Sequence, residues 1–288
     1  ARVLENAIRK MLSHPLEEVR EIGAEVKRVA QGEVPTLVKY AEVAAYQVET
    51  AKALTAAGRP TTDDRPQSSA VAELVDYDPQ AEDKFLAACL YRFGSGSLAA
   101  CRAAVAGMSA EQKAGLIEEA LGRLQKYDIP LRELEHVTYT FDVMMDQGGY
   151  FEIKRHRMMT QSPQRLTCGL GYTVPRALEE AGLRGEYDAA MHVAAEAYRV
   201  LAADLPEEAS YIVPNAFNRR VLMTLNLREA FHLCELRGAP TAHFSVRRTA
   251  GQMYEAIARV HPTLARYMRC RDNPRWREIE QEFFVKVG

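Results

Sequence analysis

The chain has 288 residues and a formal net charge of −2, with 47% hydrophobic and 26% charged residues. That is the make-up of a globular protein with one large domain or two smaller ones. A pI near 6.5 argues against a general nucleic-acid-binding surface, which is broadly basic. No apolar run approaches the roughly 20 residues of a bilayer-spanning helix, so no membrane partner is expected. The five cysteines, Cys89, Cys101, Cys168, Cys234 and Cys270, are odd in number and lack zinc-type spacing. They predict reduced thiols in a cytoplasmic setting and no metal site. The sequence begins at Ala1 within a helical pattern, which suggests a fragment of a longer protein.

Leu16, Val19, Ile22, Val26 and Val29 recur at steps of three and four, predicting an amphipathic helix within residues 1–30. A second helix follows Pro35, a residue suited to a first helical turn, and runs to Gly58, a natural stop. Residues 59–70, RPTTDDRPQSSA, read as a linker. VAELVDY (71–77) reads as a strand and residues 80–92 as a helix. YRFGSGS (91–97) reads as a flexible turn, since no Lys-Ser/Thr follows as in a P-loop. Ser109 with Gln112 forms a capping box for a helix reaching about Lys126. Val137, Tyr139, Phe141 and Val143 alternate with polar residues, predicting a half-buried strand that DQGGY breaks. Helical patterns follow at 175–203, 228–238 and 241–260, with a β-compatible NRRVLMTLN at 218–226. The fold class is α+β with helix predominating.

Two stretches repeat without gaps at an offset of 227 residues: VREIGAEVKRVAQGEVPTLVKYA from Val19 and VRRTAGQMYEAIARVHPTLARYM from Val246. Both start Val-Arg and both end Pro-Thr-Leu-x-(Lys/Arg)-Tyr. The repeat predicts that residues 1–58 are the helical tail of a preceding copy of the same domain. Residues 71–271 would then be a complete copy and residues 272–288 a C-terminal helical tail.

Lys154, Arg155, His156, Arg157 and Arg165 crowd into EIKRHRMMTQSPQR. Most charge runs are solvated faces. This one follows a strand and a Gly-Gly break, a favourable place for a site. Groups that repel one another persist most easily opposite an anion: a carboxylate of this protein, a nucleic acid or the phosphates of a small ligand. Arg presents a planar fork matched to carboxylate or phosphate.

At these residues the chain resembles the flavin-dependent thymidylate synthases, over about 200 residues. The family hallmark is Arg-His-Arg, seven residues, then Ser-x-Arg-Tyr. LRELEHVTYTF (131–141) looks like its Glu-His-x-x-(Phe/Tyr)-Thr-Phe segment. VPNAFNRRVLMTLNLREAFHLCELRGAPTAHFSVR (213–247) resembles its Leu-Pro…Asn-x-Arg…Leu-Arg…Ala-Gln stretch. The resemblance implies a helix-rich fold with a small central sheet and FAD as cofactor. It further implies reductive methylation of dUMP to dTMP, with methylenetetrahydrofolate and NADPH as co-substrates and an oligomer whose sites draw on several copies. No cysteine nucleophile is required.

The implied flavin set is His136, Thr138, Arg155, His156, Arg157, Asn226, Arg228 and His232, the last standing where Asn is usual. Arg155 and Arg237 match arginines that touch dUMP, and they are the candidate catalytic groups. The nucleotide set departs further. Glu152 replaces Gln, Pro163 replaces Glu, and Arg165 stands where Ser opens Ser-x-Arg-Tyr, with Thr167 and Cys168 replacing its Arg-Tyr. Ser210 replaces an Arg and His243 a Gln. Arg165 is the candidate to restore a lost cation. The departures leave an alternative, a flavin- and nucleotide-binding half of a tandem protein that is catalytically degenerate. Two tandem chains would then pair as a pseudo-tetramer.

Overall fold

The computed structural model describes residues 2–58, 72–270 and 273–285. The described chain divides into two compact units. The first holds residues up to 58 together with 199–211, and the second holds the remainder. The predicted linker at 59–70 lies outside the described residues.

The first unit contains α1 (Arg2–Leu12), α2 (Glu17–Glu33), α3 (Pro35–Val38) and α4 (Ala45–Ala57). Its small core is Ile8, Ala30, Val38 and Ala41. The predicted apolar stripe is only partly right, because Ile22 is 56% and Val29 52% exposed. Gly23 and Ala30 are the buried residues of α2 instead. A Cβ on Gly23 would lie 2.7 Å from Met11 Cβ, so α1 and α2 cross too closely for any larger side chain. Small residues set the contact face, and the bulkier neighbours are left outside it. The second predicted helix is also interrupted, between Val38 and Ala45, where Ser13 Oγ accepts from the Ala44 amide at 2.9 Å.

In the second unit come β1 (Ala72–Tyr77), α5 (Ala81–Phe93), α6 (Leu98–Ala106), α7 (Ala110–Leu121), β2 (Thr138–Asp146), α8 (Gln147–Ile153) and β3 (Met159–Pro163). They are followed by α9 (Arg176–Glu180), α10 (Arg184–Asp204, its end counted with the first unit), β4 (Asn218–Asn226), α11 (Leu227–Gly238), α12 (Phe244–Val260), α13 (Pro262–Ala265) and α14 (Trp276–Phe283). The α+β class with a small sheet is therefore correct. The sheet has the order β1-β2-β4-β3, with every pairing antiparallel. Tyr139, Phe141, Val143 and Met145 of β2 share the buried face with Val221, Met223 and Leu225 of β4. They pack with Phe85, Phe231, Val246, Met253 and Ile257 from the helices. Alternation puts these residues on one side of the pleat and Thr138, Thr140 and Asp142 on the other. No described helix is long and apolar enough to cross a membrane.

Several boundaries differ from the sequence pattern for identifiable reasons. The capping box at Ser109 and Gln112 is present, but α7 ends at Leu121, where Gly122 caps it. Ser97, read as part of a flexible turn, is the N-cap of α6 and accepts from the Ala100 amide. The 175–203 pattern splits into α9 and α10 at Gly182, whose φ is +72°, a left-handed conformation that favours glycine. β3 was not anticipated. Its sequence, MTQSP, is polar and ends in proline, which an edge strand tolerates and an interior strand does not.

The repeated stretches share a local geometry. In each, a long helix ends on a residue just before the proline of a four-residue helix. The two end residues, Val34 (φ −139°, ψ 56°) and His261 (φ −135°, ψ 65°), bond back to Ala30 and Ile257. Aligned positions are buried alike: Ala30 with Ile257, Val38 with Ala265, Ala41 with Met268.

Two buried polar pairs fix the sheet ends. Asp146 caps α8 through a 2.7 Å bond from the Gly149 amide and accepts from the Ser245 hydroxyl. Asp146→Ala removes the cap and strands a buried hydroxyl. It should cost about 3 kcal/mol, read as a lower urea midpoint at unchanged slope. At the other end, the Tyr139 hydroxyl meets His261 Nδ1 at 2.8 Å. Burial lowers the His261 pKa from 6.5, against the opposing pull of Glu82 and Asp78. The unfolded chain therefore takes up this proton first. The His261 contribution is complete above about pH 6.5 and is lost as pH falls through the lower folded value. Urea midpoints taken from about pH 7 to about pH 5 should fall, and less steeply in His261→Gln.

Candidate active site

Antiparallel pairing decides which residues meet. Thr138, first in β2, is paired with Asn226, last in β4. Met159, first in β3, is paired with Leu225. One end of the sheet therefore collects three segments: the turn through His136 to Thr138, the basic loop Arg155–Arg157, and Asn226–Arg228 at the start of α11. Arg165 follows β3 at the opposite end, where the Gln164 amide bonds the Arg220 carbonyl at 2.9 Å. Five strand residues at about 3.3 Å each separate it from the Arg-His-Arg loop. Within one chain the structure does not bring Arg165 to the other predicted residues.

His156 is the buried member of the basic loop, 5% exposed. Its Nδ1 lies 2.7 Å from Glu229 Oε1. Arg237 Nε donates to its Nε2 at 3.0 Å. Nε2 is thus the acceptor nitrogen, and Nδ1 carries the proton that goes to Glu229. Arg237 continues the network, with Nη1 2.8 Å from Glu152 Oε2 and Nη2 3.2 Å from the Glu152 carbonyl. The chain holds Glu152, His156, Glu229 and Arg237 together through these bonds. Gln161, from β3, fixes the loop from below, its Nε2 donating to the carbonyls of Ile153 and His156 at 3.2 and 3.0 Å.

Arg155 and Arg157, by contrast, are exposed. Among the described residues neither has a carboxylate partner. His232 is also exposed and stacks obliquely on His156, with ring centres 5.4 Å apart. The anion that answers the basic cluster is thus partly the protein's own. Two carboxylates serve His156 and Arg237, while two guanidinium groups are left to solvent.

The turn Arg132–His136 divides two clefts. On one side Glu135, Met158, Asn226, Arg228 and His232 line a space of about 640 Å³. There Arg228 reaches Glu135 at 2.7 Å and the Pro130 carbonyl at 3.0 Å. Arg132 first, and then Arg228, hold the Glu135 carboxyl below the usual range. On the other side Lys84, Tyr91, Arg92, Arg102, Glu133 and His136 line about 580 Å³. Arg92 grips both oxygens of Glu133 at 3.1 and 2.9 Å. Burial raises the thiols of Cys89 and Cys270 to about 12 and Cys168 to about 11, and lifts Cys234 well above its usual value. None of these four is a thiolate at neutral pH, which disfavours them as nucleophiles.

The architecture is a four-stranded antiparallel sheet wrapped by helices. It is shared with the crystal structure of a UMP/dUMP methylase PolB from Streptomyces cacaoi bound with 5-Br dUMP. The TM-score is 0.53 at 19% identity, over 68% of this chain and 93% of that one. The thymidylate synthase complementing protein family matches residues 73–263, and the chain belongs to that family. A UPF0159 protein of Chlamydia muridarum is 30% identical over 278 residues, 93% of this chain and 53% of that protein. A flavin-dependent thymidylate synthase of Geobacter sulfurreducens is 31% identical over 143 residues, 46% of this chain and 62% of that enzyme. The chain spans about half the length of the UPF0159 protein it matches.

Three residues of the site were not among the predicted site residues. Glu229 sits three positions after Asn226, whose side chain caps the Glu229 amide at 2.9 Å. That spacing is the capping-box pattern, and it was open to reading. The Glu229 side chain turns to His156 instead of back to the cap. Gln161 had no local signal, because its role depends on an unanticipated strand. Glu152 was visible only as a departure from the family's Gln. Glu229→Ala leaves the buried His156 Nδ1 unsatisfied, a cost of about 2 kcal/mol. Hydrogen exchange should show the amides of residues 153–157 opening about tenfold or more faster.

Proposed function

We propose that this chain forms a flavin-dependent thymidylate synthase-type site that binds FAD and a uracil mononucleotide such as dUMP. The observation that carries this reading is the gathering of His136, Thr138, Arg155, His156, Arg157, Asn226, Arg228 and His232 around one end of the sheet. The donor set suits a flavin. Arg155 and Arg157 offer exposed guanidinium forks for phosphate. Asn226 spends its oxygen on the helix cap and keeps its amide donors. His232 contributes a ring at the rim of the larger cleft. When bound, reduced FAD supplies hydride for the transferred one-carbon unit, with methylenetetrahydrofolate as carbon donor and NADPH as reductant.

This chain's own residues bind and orient. Arg155 and Arg157 offer positive charge to the ligand's phosphates, Arg155 and Arg237 are the candidates to stabilise negative charge developing on the pyrimidine ring, and Arg228, paired with Glu135, shapes the cleft wall. His156 holds the loop in place through Glu229. His136 and Asn226 face different clefts, a division that favours a complete site built from more than one copy. The helix–proline geometry shared by α2–α3 and α12–α13 supports residues 1–58 as the end of a preceding copy, and the assembly that goes with this reading is a dimer of tandem chains forming a pseudo-tetramer, or a tetramer. The position of Arg165 beyond the far end of β3 favours a second reading, a flavin-binding half without turnover of its own.

Purified protein should show flavin absorbance that shifts on dUMP titration. Arg155→Ala and Arg157→Ala should each weaken FAD retention by about tenfold to a hundredfold. Full FAD occupancy in both variants would overturn the assignment. Tritium release from C5-labelled dUMP separates the two readings, since the half without turnover releases none.

A further inference from the structure

We propose that a third cleft, between α12 and the start of α14, binds a small oxyanion: a phosphate or carboxylate group on a compact apolar body, anchored by Arg247. The inference stands apart from the nucleotide-site reading. None of the residues that line this cleft is among the candidate flavin or nucleotide groups.

The cleft encloses about 380 Å³, within the range of small-molecule sites. Arg247, from the first turn of α12, lines it and is only 8% exposed. Among the described residues its guanidinium has no hydrogen bond and no carboxylate partner, and its Nε is buried without an acceptor. Its aromatic neighbour is the Phe283 ring, 5.6 Å away. Burying a cation without a counter-charge is costly, and an anion from outside removes that cost.

The repeated stretch supplies an internal comparison. Arg20 holds the position aligned with Arg247. There Nη1 donates to the His14 carbonyl at 2.9 Å and also to the Pro15 carbonyl. The same side chain is spent on its own chain in one stretch and left unspent in the other.

The rest of the lining agrees with an anion. Arg275 and Arg277 contribute two more guanidinium groups. Glu255 is the one carboxylate among the described lining residues, and it already accepts from Trp276 Nε1 at 2.8 Å and Arg277 Nη1 at 3.0 Å. Residues 275–277 are the N-cap and first positions of α14, the end of a helix that favours negative charge. The Trp276 indole supplies an apolar wall. Gly251 admits it, since a Cβ there would lie 3.0 Å from Trp276 Cβ.

Trp276 is the one tryptophan of the chain, so its fluorescence reports on this cleft. Titration of the whole chain with phenyl phosphate, benzoate and phenol tests the proposal. The two anions should give a saturable change and phenol none, and the tighter anion identifies the preferred group. Arg247→Met should weaken that anion about tenfold to a hundredfold. Arg247→Lys, which keeps the charge without the fork, should weaken it less. Without ligand, Arg247→Met should unfold at the wild-type urea midpoint or above it, because it removes a buried charge that has no partner. Flavin uptake should be unchanged. No saturable response to either anion would overturn the proposal, as would equal affinity in wild type and Arg247→Met. So would binding that arises only in Asp272→Asn, because the chain's own carboxylate would then be the anion.

Discussion

The nine-residue antiparallel pairing of β2 with β4 is the constraint on which the rest of the second unit depends. Its register sets Thr138 opposite Asn226 and Asp146 opposite Asn218. A slip by one residue would turn Phe141, Val143, Val221 and Met223 out of the core, so hydrophobic burial enforces the alignment. The same alignment delivers the chain at one end into a turn, a loop and a helix start that together carry nearly all the candidate ligand-binding groups. At the other end it delivers the Asp146–Ser245 pair that anchors α8 to α12. Site placement is thus a by-product of core packing, and the polar residues have only to occupy the strand ends.

The electrostatic logic runs through His156. A buried imidazole between a carboxylate and a guanidinium is satisfied on both nitrogens, which spares the desolvation cost of an unpaired buried group. That allows the neighbours on either side, Arg155 and Arg157, to stay in solvent with their forks unspent. The loop therefore has a fixed middle and two free cations. If the loop takes a phosphate-bearing ligand as proposed, fewer of its side chains have to be ordered on binding than in a loop of three independent exposed ones.

Much of this was legible in the sequence because it is local. Alternation marked β2, the Ser109–Gln112 spacing marked α7, and the Arg-His-Arg motif with its flanking segments marked the family. What was not legible depends on tertiary partners. β3 has no apolar alternation of its own and exists because β4 offers an edge. Ile22 and Val29 have the right period for a buried stripe, yet Gly23 and Ala30 win because close helix crossing rewards small residues. In the site, the basic loop was evident and the carboxylates that answer it were not. Glu152 and Glu229 are distant from each other in sequence and meet only through Arg237 and His156. The separation of Arg165 from the other cations follows from the strand that lies between them, and the repeat spacing alone could not reveal it.

The turn Arg132–His136 has a structural consequence. Glu133 and Glu135 are two residues apart on a single tight turn, and each carboxylate is the terminus of a different cleft's ion pair, Arg92 on one side and Arg228 on the other. One short turn therefore sets the position of an ion pair in the wall of each cleft, so a change in its backbone bears on both walls at once.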